Sequence, residues 1–146
     1  MQHNKNLDQL ILRNFMNQLP VESHTAGNPL AQQLNLNIEH VSPQHIQLSY
    51  DVNEAFTQGG GVIQGGIVSA MLDFAAAYIG LINVDDDKVV VTTNLSVNYL
   101  RPALPGKYFA DAYLDKTGSK MVYASAKIYQ ENKKTIANAI ITMAVV

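Results

Sequence analysis

The sequence predicts an α+β fold: one antiparallel sheet wrapped around a single long apolar helix, with an extra helix at the N-terminus. Three observations point to it. Residues 65–81 form an apolar stretch of helical length. The segments on either side alternate apolar and polar residues with a period of two, and short turn sequences separate those segments. A helix of about 17 residues is about 25 Å long while strands of about 10 residues reach about 33 Å, so each strand can curl past the helix it packs on.

Taken in order, residues 7–19 read as an amphipathic helix. Leu34, Leu36 and Ile38 then alternate with Asn35, Asn37 and Glu39. After the turn signal Ser42-Pro43, the set Ile46, Leu48, Tyr50 and Val52 alternates with polar positions, so the two runs predict a hairpin. The long helix follows. Four further strands are expected at 89–100, 107–116, 121–130 and 135–146. They are divided by Arg101-Pro102-Ala103-Leu104-Pro105-Gly106, Thr117-Gly118-Ser119 and Glu131-Asn132-Lys133. The last strand is apolar on both faces, with Ile136, Ile140, Ala144 and Val146 on one and Ala137, Ala139, Ile141, Met143 and Val145 on the other. One helix cannot cover both faces, so a second subunit is expected to cover part of the sheet. Internal repeats, low-complexity tracts and linkers are absent. The 146 residues, 47% hydrophobic, are therefore expected to form one domain spanning 1–146, burying roughly 70% of its unfolded surface.

Ten basic residues against twelve acidic ones leave a formal charge of −2, which offers no field for nucleic acid or an anionic membrane. Neither is expected as a partner. The absence of cysteine removes disulfides, thiolate zinc sites and cysteine nucleophiles, and makes the cytoplasm the default compartment. Residues 1–20 carry His3, Asn4, Lys5, Asp8 and Arg13, without the apolar run of a signal peptide. The apolar stretch 67–81 falls short of the ~20 residues a bilayer needs and would hold Asp73 near the midplane at a cost of about 3 kcal/mol. A buried core helix is the expectation.

Asp73 is the only acidic residue in 65–81. Burying an ionised, unpaired carboxylate costs several kcal/mol, so a core helix that keeps one usually has a use for it. Three and four residues away lie Ser69, Ala70, Ala76 and Ala77, all small, leaving room above the carboxylate. Gln64-Gly65-Gly66 places unhindered N–H groups at the positive end of the same helix. From the helix alone, a hydrogen-bonded structural carboxylate between closely packed elements explains Asp73 as well as a functional one does.

The run Gln58-Gly59-Gly60-Gly61-Val62-Ile63-Gln64-Gly65-Gly66, followed by Ala70-Met71-Leu72-Asp73 and by Val97-Asn98-Tyr99-Leu100-Arg101-Pro102-Ala103, resembles the hotdog-fold acyl-CoA thioesterases of the phenylacetate-pathway (PaaI-like) type. The likeness extends from about residue 30 to the C-terminus in element order. It implies a hotdog fold, homodimers joined through their sheets, commonly dimers of dimers, and active sites at the dimer interface. Four roles follow from it. Gly65 would offer its N–H to the thioester carbonyl. Asp73, reaching across from the partner subunit, would attack the carbonyl or activate a water. Gln58 would position the thioester or the water, and Thr92 would help hold that water. The family's His-Gly-Gly reads Gln64-Gly65-Gly66 here, so substrate contacts at that point fall to the Gln64 amide and the Gly66 backbone, and proton transfer at Gln64 is excluded. No cofactor is implied, coenzyme A being part of the substrate. Its phosphates need cationic help, for which Arg101, Lys107 and Lys120 beside turns are the candidates.

Other features weigh less. The glycines of 59–66 lack the Lys-Ser/Thr of a phosphate loop and the spacing of a dinucleotide fingerprint. Asp85-Asp86-Asp87 lacks the spaced ligands of a calcium loop, and His3, His24, His40 and His45 show neither ligand spacing nor an adjacent nucleophile. No metal is expected, and the histidines read as surface or turn residues. The tyrosines and phenylalanines of the strands read as core or interface packing. The expected function is hydrolysis of acyl-CoA thioesters. The alternative is a non-catalytic hotdog module that binds acyl-CoA as a sensor or carrier, supported by the missing histidine. Hydration or dehydration of acyl thioesters would need a His near the helix start, and none is there.

Overall fold

The computed structural model describes residues 6–146, so His3 lies outside the described residues. The chain runs α1 (Leu7–Met16), α2 (Pro29–Gln33), β1 (Asn37–Val41), β2 (His45–Val52), a short 3-10 turn (Glu54–Phe56), α3 (Gly65–Ile82), β3 (Val90–Tyr99), β4 (Gly106–Thr117), β5 (Met121–Tyr129) and β6 (Thr135–Val145). The strands form one antiparallel six-stranded sheet in the order β1-β2-β4-β5-β6-β3. This sheet wraps α3, as the hotdog fold requires.

The period-two pattern decides which side faces the helix. Ile46, Leu48, Tyr50 and Val52 of β2, Tyr108, Ala110 and Ala112 of β4, and Val122, Ala124, Ala126 and Ile128 of β5 are buried. They close over Met71, Leu72, Ala75, Ala76 and Ile79 of α3. By length and composition α3 would suit a membrane span, one residue longer than the expected helix, but 56% of it is buried inside the protein. It is a core helix. Gly80 permits close contact here, because a Cβ would lie 2.9 Å from Val90 Cγ2 and 3.1 Å from Met143 Sδ.

Outside this shell, α1 packs on α3 and is held by long-range polar contacts. The Gln9 side-chain amide donates to the Leu81 carbonyl at 2.9 Å, and Arg13 donates to the Val84 carbonyl at 2.6 Å. Arg13 also pairs with Asp86 at 3.2 Å, so one of the three consecutive aspartates anchors α1. The helix ends at Met16, short of the expected residue 19, because the backbone turns into a positive φ of 57° at Gln18.

His40 is exposed and His24 lies in a bend, as expected of surface or turn residues, but His24 and His45 also make specific contacts. His24 Nδ1 accepts from the Ile38 N–H at 2.9 Å and ties the loop before α2 to β1. His45 is half-buried, its Nε2 3.0 Å from Oδ1 of buried Asp111 and its ring stacked on Tyr113 at 4.7 Å. Both fix structure through side chains distant in sequence.

Candidate active site

Asp73 sits on the half-buried face of α3, beside β3. Thr92, on β3, donates its hydroxyl to Asp73 Oδ1 at 2.7 Å. The β3 register shifts between Thr92 and Asn94, a local irregularity right beside this contact. The other carboxylate oxygen, Oδ2, has no hydrogen-bond partner among the described residues. One oxygen is thus oriented and the other left available, the arrangement a base or nucleophile needs.

The carboxylate lines an open cleft of about 260 Å³. Ala70, Phe74, Ala77 and Leu81 of α3 form its helical wall, with Leu30 of α2 and Val90 of β3 opposite. The helical positions share one face, and Ala70 and Ala77 open space beside Asp73 as the spacing suggested, whereas Ala76 is buried in the core and Ser69 meets the Tyr99 hydroxyl instead. At the α1 end stand Asn6, Asp8 and Tyr78. Asp8 accepts from the Tyr78 hydroxyl at 3.1 Å through Oδ1 and from the Asn28 amide at 3.0 Å through Oδ2. Burial first, and the neighbouring Asp8 charge second, push the Tyr78 phenol far above its ordinary range, so it remains a donor. Nearby Tyr50 is fully buried, donates to the Met71 carbonyl at 2.9 Å, and is likewise pushed up by burial, then by Tyr78 and Asp73.

The start of α3 forms a second cluster. Gln64 is the N-cap, its side-chain oxygen accepting from the Gly66 N–H. Gln64 and Gly66 therefore satisfy each other, while the Gly65 N–H has no partner among the described residues and points out of the positive helix end. The Tyr99 hydroxyl donates to the Gly65 carbonyl at 3.0 Å and also meets the Ser69 hydroxyl. A Cβ on Gly65 would lie 3.5 Å from the Tyr99 ring. This tyrosine was expected only to pack; its contact with the helix start joins residues 34 apart in sequence, which no local pattern displays.

The structure thus brings Thr92 to Asp73, but not every candidate. Gln58 is exposed and turned into its own loop, its side-chain oxygen accepting from the Gly60 N–H while the Gly61 N–H donates to the Gln58 carbonyl at 2.9 Å. Gly61 takes a φ of 81° in that turn, a conformation glycine adopts freely. Arg101 is exposed and donates to the Thr135 carbonyl at 2.6 Å, at the start of β6. It shares this end with Gly65, since the Ile63 N–H donates to the Ala103 carbonyl at 2.7 Å. Lys107, on the same side, approaches Glu131 at 4.0 Å. The Lys120 carbonyl accepts from the Val145 N–H at 2.8 Å, at the opposite end of β6. Arg101 and Lys120 are then about 30 Å apart along one strand, so one chain does not gather them into a single cluster. Among the described residues no group of three or more His, Cys, Asp or Glu is placed to hold a metal.

Gly65 and Asp73 are themselves separated. Eight residues of helix raise Asp73 about 12 Å beyond Gly65, whereas groups acting on one carbonyl must each stand about 3 Å from it. Within a single chain the two cannot share a substrate atom.

With this geometry in place, the comparisons define the class. The Thioesterase superfamily matches residues 60–137, a span that includes Gly65, Asp73, Thr92 and Arg101. The chain belongs to that superfamily. It is 25% identical over 130 residues to the medium/long-chain acyl-CoA thioesterase YigI of Salmonella typhimurium, covering 78% of this chain and 83% of that protein. Among solved structures, a phenylacetic acid degradation-related protein of Ralstonia eutropha is similar, with a TM-score of 0.78 and 26% identity over 92% of this chain and 98% of that one. A Haemophilus influenzae thioesterase superposes with a TM-score of 0.77 at 23% identity, covering 92% and 90% of the two chains. The fold and the hydrolase class agree with the PaaI-like resemblance.

Proposed function

We propose that the protein hydrolyses acyl-CoA thioesters to the free acid and coenzyme A, with Asp73 as base or nucleophile. The observation that carries this reading is Asp73 itself: one oxygen held by Thr92, the other free, on the wall of an apolar cleft. The Salmonella relative, named as an acyl-CoA thioesterase, supports the substrate class.

The chemistry follows from where charge develops. A water oxygen adds to the thioester carbon while Asp73 takes its proton, and the carbonyl oxygen becomes negative. The Gly65 N–H and the helix dipole stabilise that oxygen, a donor whose loss typically costs about 10²- to 10³-fold in rate. The C–S bond then breaks, the carbonyl re-forms, and the proton passes to the departing coenzyme A sulfur. Direct attack by Asp73 would instead give an acyl anhydride that water opens, with the same balance.

The 12 Å between Gly65 and Asp73 along the helix favours a homodimer in which one chain supplies Asp73 and the other Gly65. Free β3, at the sheet edge and ten residues long, is suited to join two copies. Dimers of dimers would cover the outer sheet face, where Ile140 is 66% exposed. In such an assembly Gln58 would reposition toward the thioester, Arg101 would meet coenzyme A phosphates beside its own Gly65, and Lys120 would contribute only from another copy. No cofactor takes part, and the cytoplasm is the proposed compartment.

The test is free-thiol release across short, medium, long and aromatic acyl-CoAs, with Asp73→Ala alongside. Turnover that collapses in the variant is expected. The second reading, a non-catalytic acyl-CoA-binding module, draws on Gln64 in place of the family histidine. It would be favoured by saturable acyl-CoA binding in calorimetry without thiol release.

A further inference from the structure

The peptide that carries the Gly65 N–H is held from both sides. Before it, the Gln64 N–H donates to the Phe56 carbonyl at 2.9 Å and the Ile63 N–H to the Ala103 carbonyl at 2.7 Å. After it, the Gly65 carbonyl accepts from the Tyr99 hydroxyl at 3.0 Å. Tyr99 closes β3 and is itself fixed against β6, because the next two N–H groups, of Leu100 and Arg101, donate to the Ile136 carbonyl at 2.8 and 3.1 Å. Through this side chain the sheet reaches across to the helix start.

Core packing explains Tyr99 poorly, since the residue is 54% exposed. Its phenol carries a single hydroxyl proton, which goes to Gly65, so Ser69 must supply the hydrogen in its own contact with that hydroxyl. The result is a relay from Ser69 through Tyr99 to Gly65, within the first two turns of α3. The chain needs a restraint there. Gly65 and Gly66 follow one another, and glycine has more backbone freedom to lose on folding than any other residue. Gln64 holds the Gly66 N–H and leaves that of Gly65 to be positioned by other groups. A donor to a developing oxyanion is effective only if it already stands about 3 Å from where that oxygen will be.

We infer that Tyr99 is a positioning residue for the thioester reaction: its hydroxyl holds the Gly65 carbonyl and so fixes the direction of the Gly65 N–H. This rests on the reading of that N–H as the oxyanion donor. Tyr99 acts through Gly65 and touches no reacting atom.

The experiment compares wild type, Tyr99→Phe and Ser69→Ala. Tyr99→Phe deletes the hydroxyl and keeps the exposed ring, whereas Ser69→Ala leaves the bond from Tyr99 to Gly65 in place. Values of kcat and KM for thiol release are measured on the acyl-CoA that wild type turns over best, melting temperatures are recorded, and NMR relaxation gives the order parameter of the Gly65 N–H. Tyr99→Phe is expected to lower kcat about tenfold, less than loss of the donor itself, with KM within about twofold. Its Gly65 order parameter should fall from about 0.85 toward about 0.6. Ser69→Ala should stay close to wild type in both. A rise in KM with kcat intact would assign Tyr99 to substrate contact and overturn the inference. So would a loss of kcat with the Gly65 order parameter unchanged, or a loosened Gly65 with kcat unchanged. Wild type that releases no thiol overturns the hydrolase reading, and an unchanged Gly65 order parameter in Tyr99→Phe then overturns the brace as well.

Discussion

At the scale of single residues, Thr92 entered the site only through family resemblance, and there as a group holding water; its contact with Asp73 appears only in the structure. Thr92 alone is an ordinary strand residue, and nothing local links it to a carboxylate 19 positions earlier. Its hydroxyl orients Asp73, so Thr92→Val, which keeps the shape, is expected to lower kcat for thiol release by about tenfold, the equivalent of about 1.4 kcal/mol. The melting temperature and KM should change little. A drop in KM-controlled binding with kcat intact would assign Thr92 to substrate contact instead. Asp73 was legible because a lone acid in an apolar helix is conspicuous. Asp8 was not, because it opens an amphipathic helix where an acid is routine, and its partners Tyr78 and Asn28 lie 70 and 20 residues away.

At the scale of elements, the later strands and the long helix were readable because each carries a periodic pattern many residues long. The alternation from Leu34, by contrast, begins too early for the five-residue β1, since Leu34 caps α2 and Asn35 turns with a φ of 50°. The five-residue α2 and the 3-10 turn at Glu54–Phe56 escaped, being too short to show a period. Their stop and start signals are nonetheless in place: Asn28 caps α2 by accepting from the Ala31 N–H at 3.1 Å, ahead of Pro29. The packing of α3 on β3 and β6 depends on Gly80. Gly80→Ala would press a methyl against Val90 and Met143, and overpacking of about 1–3 kcal/mol outweighs the about 1 kcal/mol that alanine contributes to a helix. A net loss of about 1 kcal/mol is expected in urea unfolding. Gly59→Ala, whose Cβ would meet nothing within 4 Å, should stay within about 0.5 kcal/mol of wild type.

At the scale of the whole molecule, the tyrosines couple stability to alkaline pH. Burial raises the phenols of Tyr50, Tyr78, Tyr108, Tyr113 and Tyr129, the last to about 12. Each folded value lies above the unfolded value of about 10, so the native state holds these protons more tightly. The stabilisation is complete below about pH 10 and is lost as pH rises from there through the folded values, at up to about 1.4 kcal/mol per pH unit for each of the buried Tyr50 and Tyr78 phenols and less for solvent-exposed Tyr113. Melting temperatures measured from about pH 8 to pH 12 should be flat and then fall. Tyr78→Phe should fall less steeply, and an unchanged slope would show that Tyr78 is not among the coupled phenols.

The assembly is also a matter of the whole molecule. A sheet apolar on both sides of β6 leads to the expectation of a second subunit, and the distance between Gly65 and Asp73 on one helix would give the proposed dimer a chemical reason. The most direct test of the account is the rate of thiol release by Asp73→Asn, an isosteric change that leaves the Thr92 contact possible, on the acyl-CoA the wild type turns over best. A fall of at least about 10²-fold in kcat, with the melting temperature unchanged, is the expected result. Turnover within a few-fold of wild type by the folded variant would contradict it.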